Sequence, residues 1–168
     1  MSRIGGRRHL IGVISEADGE VYGKYADELM RFATGVVGPD DAADAVSTAV
    51  VRTFTSPSWR SVTNHRAYLY RAVLNECRQL ERSRRRRVGR EERDARARVA
   101  TDFYDPEVRP DVRAAVDALD VRARAVFVLT YWADLPPEEI ATLLGVSSRT
   151  VRRDLDAGHR RLKRSLHD

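Results

Sequence analysis

Three arginines on one face of a short helical pattern are the residues of this chain best suited to binding another molecule. Arg149, Arg152 and Arg153 are spaced i, i+3 and i+4, opposite the apolar stripe of the same pattern. A guanidinium group can bind the two acceptor atoms of a guanine edge, or a phosphate, through paired hydrogen bonds. These three arginines are predicted to form a DNA-binding surface.

The element that must position these arginines is a pair of short helices within residues 135–162. Pro136 and Pro137 suit the start of the first helix, because a missing N–H costs little there. Gly145 forms the corner, and Ser147 is the predicted N-cap of the second helix. Two helices joined by a tight glycine turn predict a helix-turn-helix. A plain helical hairpin is the alternative, and the placement of the arginines favours the helix-turn-helix.

A second cluster mixes aromatic and basic side chains at the start of another predicted helix, which Asn64 can cap. Tyr68, Tyr70 and Arg71 lie together there, and Arg78 follows two turns later. Rings beside arginines provide stacking surfaces and positive charge for unpaired nucleotides. The alternative is that the two tyrosines pack against neighbouring helices, as aromatic residues commonly do. Both interpretations remain open at this point.

The remaining pattern is helical, and no stretch shows the strict alternation of a β-strand. In the first half Gly38 and Pro39 end one helix, and Asp40 is the predicted N-cap of the next. Residues 84–87 are predicted to extend the third helix. Two further amphipathic helices precede the helix-turn-helix, the second holding Val126, Phe127, Leu129 and Tyr131.

An arginine-rich stretch divides the chain, because its composition is too polar to form a core by itself. The predicted fold is therefore all-α, with two small helical domains joined by a charged linker. The first domain covers residues 1–87, the linker 88–110, and the second domain, which contains the helix-turn-helix, residues 111–168.

Composition limits the function further. The net charge is +5, and the basic residues are almost all arginine, since lysine occurs only at positions 24 and 163. The single cysteine, Cys77, excludes an internal disulfide, and its apolar surroundings predict a buried structural thiol. No stretch is long and apolar enough to span a membrane, so we expect no membrane insertion and a cytoplasmic protein.

No enzyme is predicted. The four histidines are scattered, no acidic cluster has the spacing of metal ligands, and neither a phosphate-binding loop nor a nucleophile motif is present. We therefore predict no catalytic residue, no metal site and no cofactor.

Taken together, the two halves resemble the extracytoplasmic-function group of bacterial RNA polymerase sigma factors. The resemblance covers residues 18–87 and 111–166 and depends on three segments: PDDAADAVSTAVVRTF, HRAYLYRAVLNECRQLERSRRRR and VRARAVFVLTYWADLPPEEIATLLGVSSRTVRRDLDAGHRRL. It implies that the first domain binds core RNA polymerase and the melted −10 promoter element. The second domain then binds the −35 element as duplex. An anti-sigma factor is a further implied partner, and a monomer is expected outside the complex.

The resemblance also implies roles for individual residues. The polymerase-binding helix of the family matches Asp44, Ser47, Thr48 and Arg52. Tyr68 stands where the family usually has tryptophan, and the promoter-melting positions match Tyr68, Tyr70, Arg71, Asn75 and Arg78. The recognition helix that faces the −35 element matches Ser148, Arg149, Thr150, Arg152 and Arg153.

Several positions depart from the family pattern. Ser47 and Thr48 replace a usual Gln-Glu pair, and Asp154 and Asp156 place negative charge in the recognition helix. These carboxylates either face DNA or pair with Arg152, Arg153 or Arg160. Two alternatives to a sigma factor follow. One is a stand-alone helix-turn-helix regulator that uses only the C-terminal domain, and the other is a divergent homologue that no longer initiates transcription.

Overall fold

The computed structural model describes residues 15–91 and 109–167, and the regular elements within these residues are all helical. In chain order they are α1 (Glu16–Val37), α2 (Pro39–Thr55), a short 3-10 helix (Pro57–Ser61), α3 (His65–Glu91), α4 (Pro110–Asp117), α5 (Val121–Tyr131), α6 (Pro137–Leu144) and α7 (Ser148–His167). The predicted all-α fold class is confirmed. Most of the predicted linker, 88–110, lies outside the described residues.

A single glycine separates α1 from α2. Gly38 has a φ of 90°, its N–H donates to the carbonyl oxygen of Thr34 at 2.9 Å, and it occupies the N-cap position of α2. Pro39 is then the first residue of α2, where its missing N–H leaves no bond unmade. The prediction that Asp40 caps α2 is therefore wrong. Asp40 lies in the first turn, where its charge favours the positive end of the helix dipole.

The beginning of α3 follows the prediction. The side-chain oxygen Oδ1 of Asn64 accepts a hydrogen bond from the backbone N–H of Ala67 at 3.0 Å, which confirms Asn64 as the capping residue. The helix includes residues 84–87, as predicted, and continues to Glu91. Arg84 and Asp41 form an ion pair of 2.6 Å that holds this extension against the start of α2.

The short 3-10 helix between α2 and α3 was not predicted. It buries Trp59, whose indole N–H donates to Asp18 at 2.8 Å and whose ring packs against Phe54 and Tyr68. The hydrogen bond to Asp18 links the 3-10 helix to the first turn of α1. An apolar tryptophan two residues after Pro57 was the only sequence signal for an ordered segment here.

Helix α5 lies at the centre of the structure. One side packs against α1 and α3, and the other packs against α4 and α7. Since nearly all its side chains are buried, α5 is not amphipathic as predicted, and only its C-terminal Tyr131 is largely exposed. One cluster of buried apolar side chains therefore extends across both halves of the chain, and includes Leu69, Val73, Val126, Ile140 and Val151. A smaller cluster lies between α4, α5 and α7.

Arg124 lies within this core and connects the two halves directly. Its side chain is buried, with Nη1 donating to the carbonyl oxygen of Val36 at 2.7 Å. Nη2 donates to the carbonyl oxygens of Asp117 at 2.6 Å and Leu119 at 2.9 Å. Val36 lies in the last turn of α1 and Asp117 ends α4, and the carbonyls of a last turn lack helical partners and hold partial negative charge. These bonds offset part of the cost of burying the guanidinium charge.

The contact between α7 and α5 leads to a stability prediction. A Cβ atom added at Gly158 would lie 2.1 Å from Cε2 of Phe127, whereas one added at Gly23 of α1 meets nothing within 4 Å. We expect Gly158→Ala to lower the free energy of unfolding by about 1–3 kcal/mol, because the buried ring must move. The matched Gly23→Ala change is expected to be neutral or to stabilise the helix by up to about 1 kcal/mol. Urea denaturation measures both, and equal effects of the two changes would contradict the packing described.

Candidate nucleic-acid interface

The helix-turn-helix is formed by α6 and α7. Gly145 ends α6 in the left-handed conformation, with a φ of 67°, and the hydroxyl of Ser147 accepts the backbone N–H of Thr150 at 3.1 Å. Both predictions for this turn, the glycine corner and the serine cap, are confirmed. Ile140 and Val151 are fully buried between the two helices. This packing fixes which face of α7 points outward.

The outward face contains the predicted arginines. Arg149, Arg152 and Arg153 are all exposed, and Ser148 and Thr150 are half-buried at the start of the helix. Arg149 makes no ion pair with any residue in the described ranges. Arg152, in contrast, pairs with a carboxylate of α6, Glu138. Arg149 is therefore the arginine of this face most available to a ligand, since Arg153 forms a longer ion pair of 3.8 Å with Asp154.

Asp154 has a structural position on the opposite face of α7. It is 6% exposed, and its carboxylate accepts two hydrogen bonds from Arg122 of α5, at 2.7 and 3.2 Å. Arg153, one of the partners expected from the sequence, is 3.8 Å away. The Asp154 carboxylate raises the pKa of Arg122, since it stabilises the charged guanidinium group. Asp154 therefore joins α7 to α5 and is buried, whereas Asp156 is exposed.

The predicted −10 residues on α3 occupy different environments. Tyr68 is half-buried, with its ring at the edge of Trp59. Tyr70 is 2% exposed, packs on Phe32 and donates its hydroxyl to Glu28 at 3.2 Å. Burial, together with the Glu28 carboxylate, raises the pKa of the Tyr70 hydroxyl above its usual range. In this arrangement Tyr70 is part of the core, so a stacking role at DNA requires its surroundings to open.

A groove between α2 and α3 brings three of the predicted −10 residues together. Tyr68, Arg71 and Asn75 line it, and its volume is about 700 Å³. The hydroxyl of Thr53 is buried at this groove and has no hydrogen-bond partner within the described part of the chain. The last of the five predicted residues on this helix, Arg78, donates to Asn75 at 3.2 Å and faces a separate cleft beside α5.

The predicted polymerase-binding residues lie along α2. Asp44, Ser47 and Arg52 are exposed and Thr48 is half-buried, so the helix presents all four on its outer side. Arg52 pairs with Glu76 of α3 at 2.5 Å, which limits its freedom to bind a partner. Asp44 forms no ion pair within the described residues.

The two halves also meet through polar groups at the start of α3. Arg66 donates to Glu28 of α1 at 2.9 to 3.2 Å and to Glu139 of α6 at 2.8 Å. Arg71, next on this surface, approaches Gly145 so closely that a Cβ atom there would lie 2.9 Å from its Cδ. The helix-turn-helix therefore covers part of the face of α3 that includes predicted −10 residues.

Metal-binding clusters and membrane-spanning helices are absent from the described residues. No group of three or more histidine, cysteine, aspartate or glutamate side chains there has the geometry of a metal site. None of the described helices is long and apolar enough to cross a membrane. Cys77 is buried, as predicted, and this burial raises the pKa of its thiol to about 12.

The fold and the arginine face define the chain as a helix-turn-helix protein, and comparison with known proteins identifies its family. Residues 109–162 match the family described as Sigma-70, region 4. The RNA polymerase sigma-E factor of Streptomyces antibioticus is 32% identical over 144 residues, which cover 83% of this chain and 79% of that protein. The ECF RNA polymerase sigma factor SigE of Mycolicibacterium smegmatis is 29% identical over 86% of this chain and 59% of that protein. The chain belongs to the extracytoplasmic-function group of the sigma-70 family.

Solved structures show the same fold at lower sequence identity. The sigma factor RpoE of Bartonella quintana, solved in complex with the anti-sigma factor NepR, has a TM-score of 0.67 at 19% identity, covering 91% of this chain and 98% of that one. CnrH, solved in complex with the cytosolic domain of CnrY, has a TM-score of 0.60 at 22% identity, covering 95% of this chain and 93% of that one.

The position of Asp154 generates a prediction that separates a structural carboxylate from a surface one. We expect Asp154→Asn to lower the free energy of unfolding by about 1–3 kcal/mol, because Arg122 loses its charged partner while remaining partly buried. Asp156→Asn, two residues along the same helix and exposed, is expected to change stability by less than about 0.5 kcal/mol. Thermal denaturation of both variants tests this difference. Equal melting temperatures would show that the Arg122 pair contributes nothing.

Proposed function

We propose that this sigma factor directs core RNA polymerase to promoters by using its two halves on two promoter elements. Residues 1–87 bind core polymerase and the melted −10 element, residues 111–168 bind the −35 element as duplex, and residues 88–110 are the linker. The observation that supports this most strongly is the exposed arginine face of α7 within the region that matches Sigma-70, region 4. The polymerase performs RNA synthesis in the cytoplasm, so the chain needs no catalytic residue.

Recognition of the −35 element is assigned to the first turns of α7. Arg149 and Arg153 are exposed there, next to the polar side chains of Ser148 and Thr150. The first turns of a recognition helix are the part that reaches base edges in the major groove. A bidentate arginine contact to guanine discriminates against other bases by about 1–3 kcal/mol.

Binding of the −10 element is assigned to the groove between α2 and α3. Its lining combines an aromatic ring, Tyr68, with the polar side chains of Arg71 and Asn75 and the unpaired hydroxyl of Thr53. An extruded base needs a stacking surface and hydrogen-bond partners for its edge, which together offset the cost of unstacking. The groove provides groups of both kinds.

Simultaneous binding to both elements requires the two halves to separate. Elements about 25 base pairs apart span roughly 85 Å of DNA axis, at about 3.4 Å per base pair. A compact chain of this length has a radius of gyration of about 15 Å, and hence a diameter of roughly 40 Å. The packed arrangement is therefore a state of the free factor, and the promoter-bound factor is extended. The chain between Glu91 and Arg109 can stretch over at most about 60 Å.

An anti-sigma factor is proposed as a regulatory partner. Two proteins with the same fold, RpoE and CnrH, were solved with NepR and with the cytosolic domain of CnrY, respectively. A partner that holds the halves together prevents the extension that promoter binding requires. It therefore needs only to bind the packed form more tightly than the extended one.

The stand-alone regulator is a weaker alternative, because much of the core of the C-terminal half is shared with the N-terminal half. Val126, Leu129 and Ile140 pack in the same cluster as α1 and α3 side chains. Removal of residues 1–87 would expose this apolar surface. Transcription from genomic fragments by core polymerase, with and without the chain, separates the two functions. Promoter-directed transcripts that depend on the chain support the sigma-factor proposal, and a lack of both transcripts and a stable polymerase complex would overturn it.

The −35 assignment predicts a change of sequence preference. We expect Arg149→Ala to relax the preference for one base of the selected site, with a loss of about 1–3 kcal/mol for that base. Arg161→Ala removes an equally exposed arginine from the distant part of α7, and is expected to weaken binding uniformly across sequences. Selection from a randomised duplex library, followed by sequencing, measures both. An unchanged base preference in Arg149→Ala would contradict the assignment.

The polymerase assignment predicts an affinity change on α2. Asp44→Asn removes an exposed charge from the proposed interface, and we expect about tenfold weaker binding to core polymerase, the loss of one charged contact. Asp40→Asn, one turn earlier and also exposed, is the matched control and is expected to bind as the unaltered chain does. Competition between labelled and unlabelled chain for core polymerase gives the two affinities. If Asp40→Asn weakens the complex and Asp44→Asn does not, Asp44 is not part of the interface and the assignment is contradicted.

A further inference from the structure

A cleft between the C-terminal half of α3 and the start of α5 contains an unusual concentration of arginines. Arg78, Arg82 and Arg85 reach it from α3, where their spacing of i, i+4 and i+7 places them on one face. Arg122 reaches it from α5, so the two halves of the chain both contribute to the cleft. The cleft is open to solvent and has a volume of about 410 Å³.

The charges of this cleft are incompletely neutralised from within the protein. Two carboxylates line it, Glu81 and Asp120, against four guanidinium groups. Glu81 accepts from Arg85 at 3.2 Å, and Asp120 is occupied as the N-cap of α5, bonded to the backbone N–H groups of Arg122 and Ala123. Arg122 uses Nε and Nη2 on Asp154, which leaves Nη1 outside that pair.

Arg78 and Arg82 are the most weakly compensated members of the cluster. Arg82 is exposed and forms no ion pair within the described residues, and Arg78 has only the neutral Asn75 amide as a side-chain partner. Burial lowers the pKa of Arg78, and the nearby Arg122 and Arg82 guanidinium groups lower it further. Like charges are therefore held close together across the boundary between the halves. An anion placed among them relieves this repulsion.

The chemistry of the lining selects among anions. A carboxylate offers two oxygens and is satisfied by one guanidinium fork, whereas a polyphosphate group presents several charged oxygens to several forks. Val121 is the only apolar residue among those that line the cleft, and the other six lining side chains all carry charge. The lining therefore matches the phosphates of a ligand and not its apolar part.

We propose that this cleft binds adjacent phosphate groups, carried either by a free polyphosphate such as a nucleotide or by the backbone of bound DNA. The ligand contacts both α3 and α5, and it therefore stabilises the packed arrangement of the two halves when it is a free molecule. Binding to this cleft can be measured without polymerase or a specific DNA sequence, so failure of this proposal and failure of the proposed promoter function are distinguishable.

The test uses the full chain and inorganic triphosphate as the probe, with affinity measured by calorimetry at low salt. We expect Arg82→Gln and Arg85→Gln each to weaken binding about tenfold, the loss of one charged contact. Arg86→Gln makes the same charge change on the same helix, at an exposed residue outside the cleft, and is expected to have little effect. Asp120→Asn removes a repelling charge and retains a good helix cap, so it is expected to tighten binding.

The outcomes separate the two phosphate sources. One outcome is that triphosphate displaces a short random-sequence duplex from the chain and that both arginine variants also bind this duplex more weakly. The phosphate groups that occupy the cleft then belong to the DNA backbone. If the duplex is unaffected while triphosphate binding depends on the cleft, the ligand is a free polyphosphate. The proposal is overturned if triphosphate does not bind, or if Arg86→Gln weakens it as much as Arg82→Gln. Circular dichroism of each variant establishes that it is folded. A negative result in the triphosphate-binding experiment has no bearing on the transcription assays that test the proposed function.

Discussion

The packed arrangement of this chain depends on one buried guanidinium group. Arg124 is 5% exposed and is bonded to three carbonyl oxygens, two of them at the C-terminal ends of α1 and α4. Nε of the same side chain is buried without a hydrogen-bond partner within the described residues, so the group is not fully satisfied. A buried charge held by carbonyls from both halves is favourable only while the halves stay together. Separation of the halves would therefore leave the Arg124 guanidinium without one of its carbonyl partners. Apolar packing alone would impose no such hydrogen-bonding requirement on the contact between the halves.

This arrangement divides the proposed binding surfaces into exposed and covered ones. The arginine face of α7, the outer side of α2 and the Arg71 side chain are exposed, whereas Tyr70 is enclosed by Glu28 and Phe32 of α1, within its own half of the chain. In this form the accessible proposed surfaces can contact DNA or polymerase, whereas separation of the two halves alone does not expose Tyr70. Binding energy from the partners then offsets the loss of contacts between the halves.

Local features of the structure could be predicted from the sequence, because they depend on residues a few positions apart. Asn64, Gly145 and Ser147 act as the turn and capping residues that their chemistry indicates. The prediction that Asp40 caps α2 was wrong for a reason that is also local, since the glycine before Pro39 occupies the cap position. The recognition-helix arginines are exposed because the apolar stripe of α7 determines which face is buried.

The features that could not be predicted depend on contacts between distant segments. Asp154 pairs with Arg122, 32 residues away, and no periodicity within α7 distinguishes this carboxylate from Asp156. The burial of α5 on all sides requires knowledge that α1 and α3 cover one face while α4 and α7 cover the other. Trp59 is ordered by Asp18, 41 residues earlier. In each case the partner, and not the local pattern, decides the outcome.

The most direct test of this account is the distance between the halves, measured by energy transfer between probes attached through cysteines at Asp27 and Lys163, two exposed positions. Cys77 is buried with a raised thiol pKa, so it does not compete for labelling in the folded chain. The account predicts one short distance in the free factor and an increase of several tens of ångströms when core polymerase and promoter DNA are both present. An unchanged short distance in a complex that actively transcribes would contradict it.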